Sequence, residues 1–287
     1  SGADILAARG HRSAQRRLAL EPRDTGAPMA EAYPYNGRLT RWDEVAPGLV
    51  ICAVAADGEP FPFTPGQYAT LALPDPSGKI VQRPMSISSP SGDLSEYEFF
   101  IRLVPGAEFT PLLWKLKVGD TIGIKGAKGK FVLQDDGRRC LFVASGTGLA
   151  PYLSMIETLL ANGQQREIHL LHGASHVSDL AWREWLTELE ADQRIPLHYG
   201  PTVSRPAENP DWDGLTGRVE AVVASEMDHH NLTPADTTIY LCGNPDMITA
   251  VEELAAARGF PPEQIRKELY WPKGRPHGGA EPGEAAA

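Results

Sequence analysis

Along the chain, short apolar runs alternate with polar punctuation in two different rhythms. Between residues 29 and 136 the runs are brief and rich in β-branched and aromatic side chains: 49–54 (LVICAV), 68–73 (YATLAL), 97–104 (YEFFIRLV), 121–124 (TIGI) and 130–133 (KFVL). Gly, Pro and Asp separate them. Strands at this spacing predict an antiparallel β-barrel. One helical patch, 111–116, interrupts them. From Arg139 the rhythm changes. Residues 140–144 (CLFVA) read as a buried strand, and the glycine turn 145–148 (SGTG) follows at once. Leu153, Ile156, Leu159 and Leu160 then recur at helical spacing. Further strands are predicted at 168–171, 195–198 and 238–242. Further helices are predicted at 179–191, 217–227 and 245–258, the last stopped by Gly259. Strands alternating with helices imply a parallel sheet wound by helices. We therefore expect two domains: a β-barrel over 29–136, then an α/β parallel-sheet nucleotide-binding domain over 137–271.

Composition narrows the class. The 287 residues carry a formal net charge of −10, which argues against a nucleic-acid partner. No apolar run reaches the eighteen residues of a membrane span. Cys52, Cys140 and Cys242 are widely spaced and form no C-x-x-C pair, so neither a disulfide framework nor an iron–sulfur cluster fits. No metal site is expected. A reducing, cytoplasmic setting follows, and we expect a monomer. Residues 1–28 are rich in Arg and Ala and are expected to be a disordered leader or tag, with Met29 a natural start; an organelle-targeting remnant is the alternative. Residues 272–287, mostly Gly, Pro, Ala and Glu, are expected to be a disordered tail.

Four short segments could carry chemistry. In 83–90 (RPMSISSP), Arg83 offers a planar bidentate donor suited to phosphate, followed by Ser86 and Ser88 hydroxyls. Alone, this also describes a surface strand with a serine-rich turn. In 104–113 (VPGAEFTPLL), Thr110 as N-cap and Pro111 as first residue would open a helix whose N-terminus favours anions, or a capped helix that binds nothing. Gly146, Thr147 and Gly148 lie between a strand and a helix, where glycines let a backbone approach a pyrophosphate. Cys242, Gly243 and Asn244 end a late strand, where ligands of open α/β sheets collect; a buried structural Cys is the other reading. Tyr270 and Trp271 read as a core plug or a ring-stacking lid.

In this order over residues 33–271, R-P-M-S, P-G-A-E-F-T, G-T-G-L-A-P, C-G-N-P and a terminal Y-W resemble the ferredoxin–NADP reductase family, in its bacterial-type form. The resemblance implies a Greek-key barrel holding FAD and an α/β domain holding NADP(H). It implies that Arg83 binds the FAD pyrophosphate. Pro84 and Met85 would lie along the flavin, and Ser86 would donate near its reacting edge. Backbone at Ile87 and Ser88 would hold the pyrimidine edge. Gly106, Phe109 and Thr110 would cap the FAD phosphates. Gly146, Thr147 and Gly148, with Gly243 and Asn244, would receive the nicotinamide nucleotide. Ser86, Cys242 and Glu268 would be the catalytic residues, and Tyr270 or Trp271 would stack on FAD. Met85 stands where the family usually has Tyr; a thioether can also pack on a ring.

The implied activity is hydride exchange between NADP(H) and flavin, then single-electron exchange with ferredoxin or flavodoxin. The alternatives are an NAD(P)H-dependent flavin reductase or the reductase component of an oxygenase system. Residues 115–139 carry seven basic residues against three acids. They are either a solvated face or a patch, with Lys115, Lys117, Lys125, Lys128 and Lys130, that steers an acidic partner. Ser204, Arg205 and Arg218 match segments that hold the NADP 2′-phosphate in relatives. No acid is expected where an NAD enzyme grips the ribose: Asp179 lies beyond the strand end.

Overall fold

The structure is a computed structural model and describes residues 36–269. The residues assigned above to a leader, a tail and the Tyr270-Trp271 pair lie outside this span.

The first sheet comprises β1 (Asn36–Ala46), β2 (Leu49–Ala56), β3 (Tyr68–Pro74), β4 (Ile80–Ser86), β5 (Tyr97–Arg102) and β6 (Thr121–Lys128). They run antiparallel in the order β4-β3-β6-β1-β2-β5. A bridge from Ile87 to Phe99 joins the two outer strands and closes the sheet into the expected barrel. Its interior is filled by Leu39, Val50, Cys52, Leu71, Ile87, Tyr97, Phe99 and Ile124, all fully or almost fully enclosed. Tyr97 stacks on Phe61 at 4.1 Å, and its hydroxyl accepts from the Phe61 amide at 2.7 Å. The buried phenol is thereby satisfied without water.

The second sheet is parallel, in the order β10-β9-β8-β7-β11-β12. It comprises β7 (Arg139–Ser145), β8 (Ile168–Ala174), β9 (Leu197–Val203), β10 (Leu215–Thr216), β11 (Thr237–Gly243) and β12 (Ile265–Leu269). The central strands β7 and β11 are buried almost end to end, as continuous apolar runs require when helices cover both faces. Those helices are α2 (Ala150–Ala161), α3 (Arg183–Asp192), α4 (Val219–His229) and α5 (Pro245–Ala257). The short α1 (Thr110–Leu113) belongs to the barrel.

The differences from expectation have local causes. Residues 130–133 form no strand: Gly129 turns the chain at φ 109°, and Phe131 leaves the barrel for a core shared with the second sheet. The helix expected from Asp179 begins only at Arg183. Trp182 sits at φ 61°, held there by burial and an edge-on contact with Phe100 of the barrel at 4.9 Å. β1 was not foreseen because bulges at Leu39/Arg41 and Glu44/Ala46 break its alternation. β12 (IRKEL) is too polar to announce itself.

Candidate active site

In the parallel sheet, β7 and β11 are neighbours, and successive connections leave them in opposite directions across the sheet. Ligands of open α/β sheets bind beyond the carboxyl ends of strands at such a switch point. Both glycine segments lie there. Gly146 adopts φ 54°, and a Cβ built on it meets no atom within 4 Å, so this turn is open on its outer side. Gly148 and Gly243 are glycines for a different reason. A Cβ on Gly148 would lie 2.1 Å from the Cys242 carbonyl oxygen, and one on Gly243 2.2 Å from Ser145 Oγ. They let the two strand ends touch. Ser145 Oγ accepts from the Asn244 amide at 2.8 Å, and the Asn244 side chain caps α5 by accepting from the Asp246 amide at 2.7 Å. Thr147 is half-buried in a turn of 3₁₀ helix, Gly146–Leu149, that precedes α2.

His172, on β8, supports this turn from beneath. Its ring nitrogens lie 3.3 Å from the Gly146 carbonyl and 3.3 Å from the Tyr199 hydroxyl. Burial pushes its pKa down to about 4, against a smaller upward effect of the Gly146 carbonyl, so the ring is neutral at pH 7. The sequence marks Ser145 only as part of the glycine turn and does not single out His172. The available signals were a polar residue inside an apolar strand and a hydroxyl beside a glycine turn.

Cys242 and Glu268 face each other across β11 and β12 in register. Burial alone raises the Glu268 pKa. Cys242 is completely enclosed in a hydrophobic cluster with Phe142, Leu149 and Tyr240. Its thiol is enclosed by protein on all sides.

In the barrel, Arg83 is half-buried on β4 and forms no hydrogen bond or ion pair among the described residues. Ser86, 8% exposed, ends the same strand; Pro84 is exposed, and Met85 packs partly against the barrel core. The next residues are committed internally. The Ile87 amide donates to Gln67 and the Ser88 amide to Glu98 at 2.8 Å. Ser88 Oγ donates to Glu98 Oε1 at 3.1 Å. Glu98 is also paired with Arg41. Although burial disfavours its charge, Arg41 is held above the usual arginine range chiefly by Glu98. The amides of Ile87 and Ser88 are thus not free to grip a ligand.

The 104–113 segment also departs from expectation. Phe109, not Thr110, occupies the N-cap, and its fully buried ring plugs the barrel. Thr110 Oγ1 accepts from the Val104 amide at 3.0 Å and donates to its carbonyl at 3.2 Å, closing the loop on itself. Only Gly106 of this segment's three expected contacts is exposed.

At the far edge, Ser204 and Arg205 follow β9, and Arg218 precedes α4. Here an acid lies beside Arg205. Glu208 lies 2.8 Å from His176 Nε2 and 3.7 Å from Arg205, and Arg218 donates to Glu220 at 2.5 Å. Glu208 stands three residues after Arg205, and the pairing of the loops after β8 and β9 adds His176 to it. The basic segment shrinks as well. Arg138 donates to carbonyls of Pro234, Ala235 and Thr237, and Arg139 to those of His230 and Asn231. Lys115, Lys117, Lys125, Lys128 and Lys130 are exposed, with no ion pair among the described residues.

Two family models cover these same elements. The oxidoreductase FAD-binding domain matches residues 49–133, and the oxidoreductase NAD-binding domain matches residues 142–253. Ferredoxin–NADP reductase B of Sorangium cellulosum is 32% identical over 251 residues, covering 84% of this chain and 100% of that protein. The chain belongs to the ferredoxin reductase-like family of FAD- and NAD(P)-binding oxidoreductases. The toluate 1,2-dioxygenase electron transfer component of Pseudomonas putida is 34% identical over 72% of this reductase-like chain, which spans 59% of that relative's length. A ferredoxin NADP⁺ reductase from Neisseria gonorrhoeae, solved with bound FAD and NADP, superposes with a TM-score of 0.72 at 23% identity, over 82% of this chain and 98% of that one, and shares its fold. Among the described residues of the reductase-like chain, no helix is long and apolar enough to cross a membrane.

Proposed function

We propose that the chain oxidises NADPH and delivers the electrons singly to a ferredoxin or flavodoxin, with the 29–136 barrel holding FAD and the 137–271 sheet holding the nucleotide. The observation that carries this reading is the uncommitted, half-buried guanidinium of Arg83, which is open to pair with an anion in the barrel whose family model binds FAD. FAD, when bound, supplies the conversion between one two-electron and two one-electron transfers. The chain's own residues bind and orient. Arg83 matches a diphosphate in charge and shape. Ser86 presents a hydroxyl at the end of the same strand. The open turn at Gly146 admits a second diphosphate to the backbone, while His172 fixes the turn's carbonyl. Glu268 brings a carboxyl of raised pKa beside the same strand ends.

The five exposed lysines give the acceptor a basic landing surface on an acidic molecule. Similarity to the toluate dioxygenase component favours a second reading, in which the acceptor is an oxygenase system. The test is anaerobic addition of NADPH to the purified yellow protein, followed by transfer to candidate acceptors at rising salt. We expect rapid bleaching, then ferredoxin reduction that slows steeply with salt while reduction of a small neutral quinone does not. A colourless protein that takes up no FAD defeats the reading. Equal salt responses reject the lysine surface alone.

A further inference from the structure

The end of the parallel sheet remote from the glycine turns carries a cluster that the reductase reading does not use. Of the chain's eight histidines, four meet here. His169 and His198 are register partners near the starts of β8 and β9, and His230 caps the C-terminus of α4. The ring centroids of His169 and His198 are 4.7 Å apart, those of His169 and His230 4.6 Å, and those of His198 and His230 4.7 Å. One ligand nitrogen from each of the three lies within 4.8 Å of the other two. His229 packs edge-on against His230 at 4.7 Å.

Each of the three rings has a carboxylate beside one nitrogen, which leaves the other for a ligand. His169 Nε2 is 3.0 Å from Glu167, His198 Nδ1 is 3.7 Å from Glu190, and His230 Nε2 is 3.7 Å from Glu226. Metal-bound histidines are oriented by carboxylates hydrogen-bonded to their second nitrogen, a contact that the Glu167–His169 pair makes here at 3.0 Å. His169 supplies the decisive atom: its Nδ1 is buried and has no hydrogen-bond partner. A buried polar atom left without a partner costs about 1–3 kcal/mol, and a bound cation removes that cost. Arg139, 3.6 Å from Glu167, offsets part of the local negative charge but reaches the cluster only through the His230 carbonyl.

We propose that His169, His198 and His230 form a binding site for one divalent transition-metal cation. Imidazole donors suit Zn²⁺, Ni²⁺ and Cu²⁺ and do not suit Mg²⁺ or Ca²⁺. Tetrahedral Zn–N bonds of about 2.0–2.1 Å put ligand nitrogens about 3.3 Å apart, so the cluster closes on the ion with shifts of roughly an ångström. His198 is exposed, which opens a path for the ion and leaves the fourth position to water or His229. The ion would tie β8, β9 and α4 together. The site lies five residues along β8 from Ala174, about 16 Å from the nucleotide end, so its occupant takes no part in electron transfer.

The test uses the FAD-loaded full chain, stripped with a chelator, dialysed against zinc chloride and assayed by elemental mass spectrometry, with thermal unfolding in parallel. We expect one zinc per chain and a Tm that rises with zinc. The His198→Ala/His230→Ala double variant should lose both while keeping its circular dichroism and flavin absorbance. The single His198→Ala change, at an exposed position, and Glu167→Gln should each weaken zinc binding about 10- to 100-fold, whereas His176→Ala should not. A wild type that retains no zinc overturns the proposal. So does equal zinc in wild type and double variant, which would assign the metal to other groups such as His11 and His277.

Discussion

At the scale of single residues, the division between ligand-facing and structural groups follows hydrogen-bond bookkeeping. Arg83 is uncommitted among the described residues, whereas Ser88, Phe109 and Thr110, in motifs of equal apparent promise, are consumed by the protein itself. Arg83→Ala should weaken FAD binding by about 2–4 kcal/mol, roughly 30- to 1,000-fold, because a charge-assisted bidentate partner is lost. Titration of the apoprotein with FAD, followed by flavin fluorescence, measures it, and the circular dichroism should stay unchanged. At the proposed 2′-phosphate site, Arg205 and His176 share Glu208. A carboxylate there repels a phosphate and accepts from a ribose hydroxyl, so it moderates the preference for NADPH. Arg205→Ala should raise KM for NADPH more than about tenfold and barely change that for NADH. Glu208→Gln should move the NADPH-to-NADH ratio of kcat/KM the other way, upward by several-fold. Steady-state rates with both nucleotides check the pair, and parallel losses with both nucleotides in Arg205→Ala would remove Arg205 from the site.

At the scale of elements, the strands that bury on both faces were legible, because apolar runs such as CLFVA and TIYLC leave little choice. Strands whose pattern is bent by bulges, as in β1, or diluted at an edge, as in β12, were not. The site was legible to the extent that it lies in contiguous turns. Gly146, Gly148, Gly243 and Asn244 do meet at one switch point. His172 acts through tertiary pairing and is marked locally only as a polar residue inside an apolar strand, while Glu208 follows Arg205 by three residues but meets His176 only through the fold. Glycine identity alone also hid two distinct duties. Gly146 faces open space, while Gly148 is where β7 and β11 touch. Gly148→Ala should therefore destabilise the protein by about 1–3 kcal/mol, since a methyl 2.1 Å from the Cys242 carbonyl must push two strand ends apart. The urea midpoint of the FAD-loaded protein should fall accordingly; an unchanged midpoint would show that the contact yields freely.

For the whole molecule, acid sensitivity is built in through His172. Its folded pKa, about 4, lies below the ordinary value near 6.5. Between these values the unfolded chain binds a proton that the fold refuses, so stability falls as pH drops through this window and is flat above it. The loss approaches the order of 3 kcal/mol at the acid end. His172→Gln should remove this slope, and the difference between the two urea-unfolding curves at pH 5 and pH 7 isolates it from the carboxylates that also titrate. A second molecular property comes from the hydrophobic cluster that ignores the boundary between the sheets. Leu49, Ile51, Phe100 and Phe131 from the barrel pack in one core with Phe142, Tyr152, Trp182 and Tyr240. Phe131 lies 5.9 Å from Tyr152 and 6.0 Å from Tyr240, and Gly66 is a glycine because a Cβ there would strike the Phe131 carbonyl at 2.1 Å. The two halves are therefore poor interchangeable parts. A chimera that grafts a relative's barrel onto this sheet inherits a foreign plug in a socket shaped for Phe131, and recombination between such reductases should succeed only where plug and socket travel together.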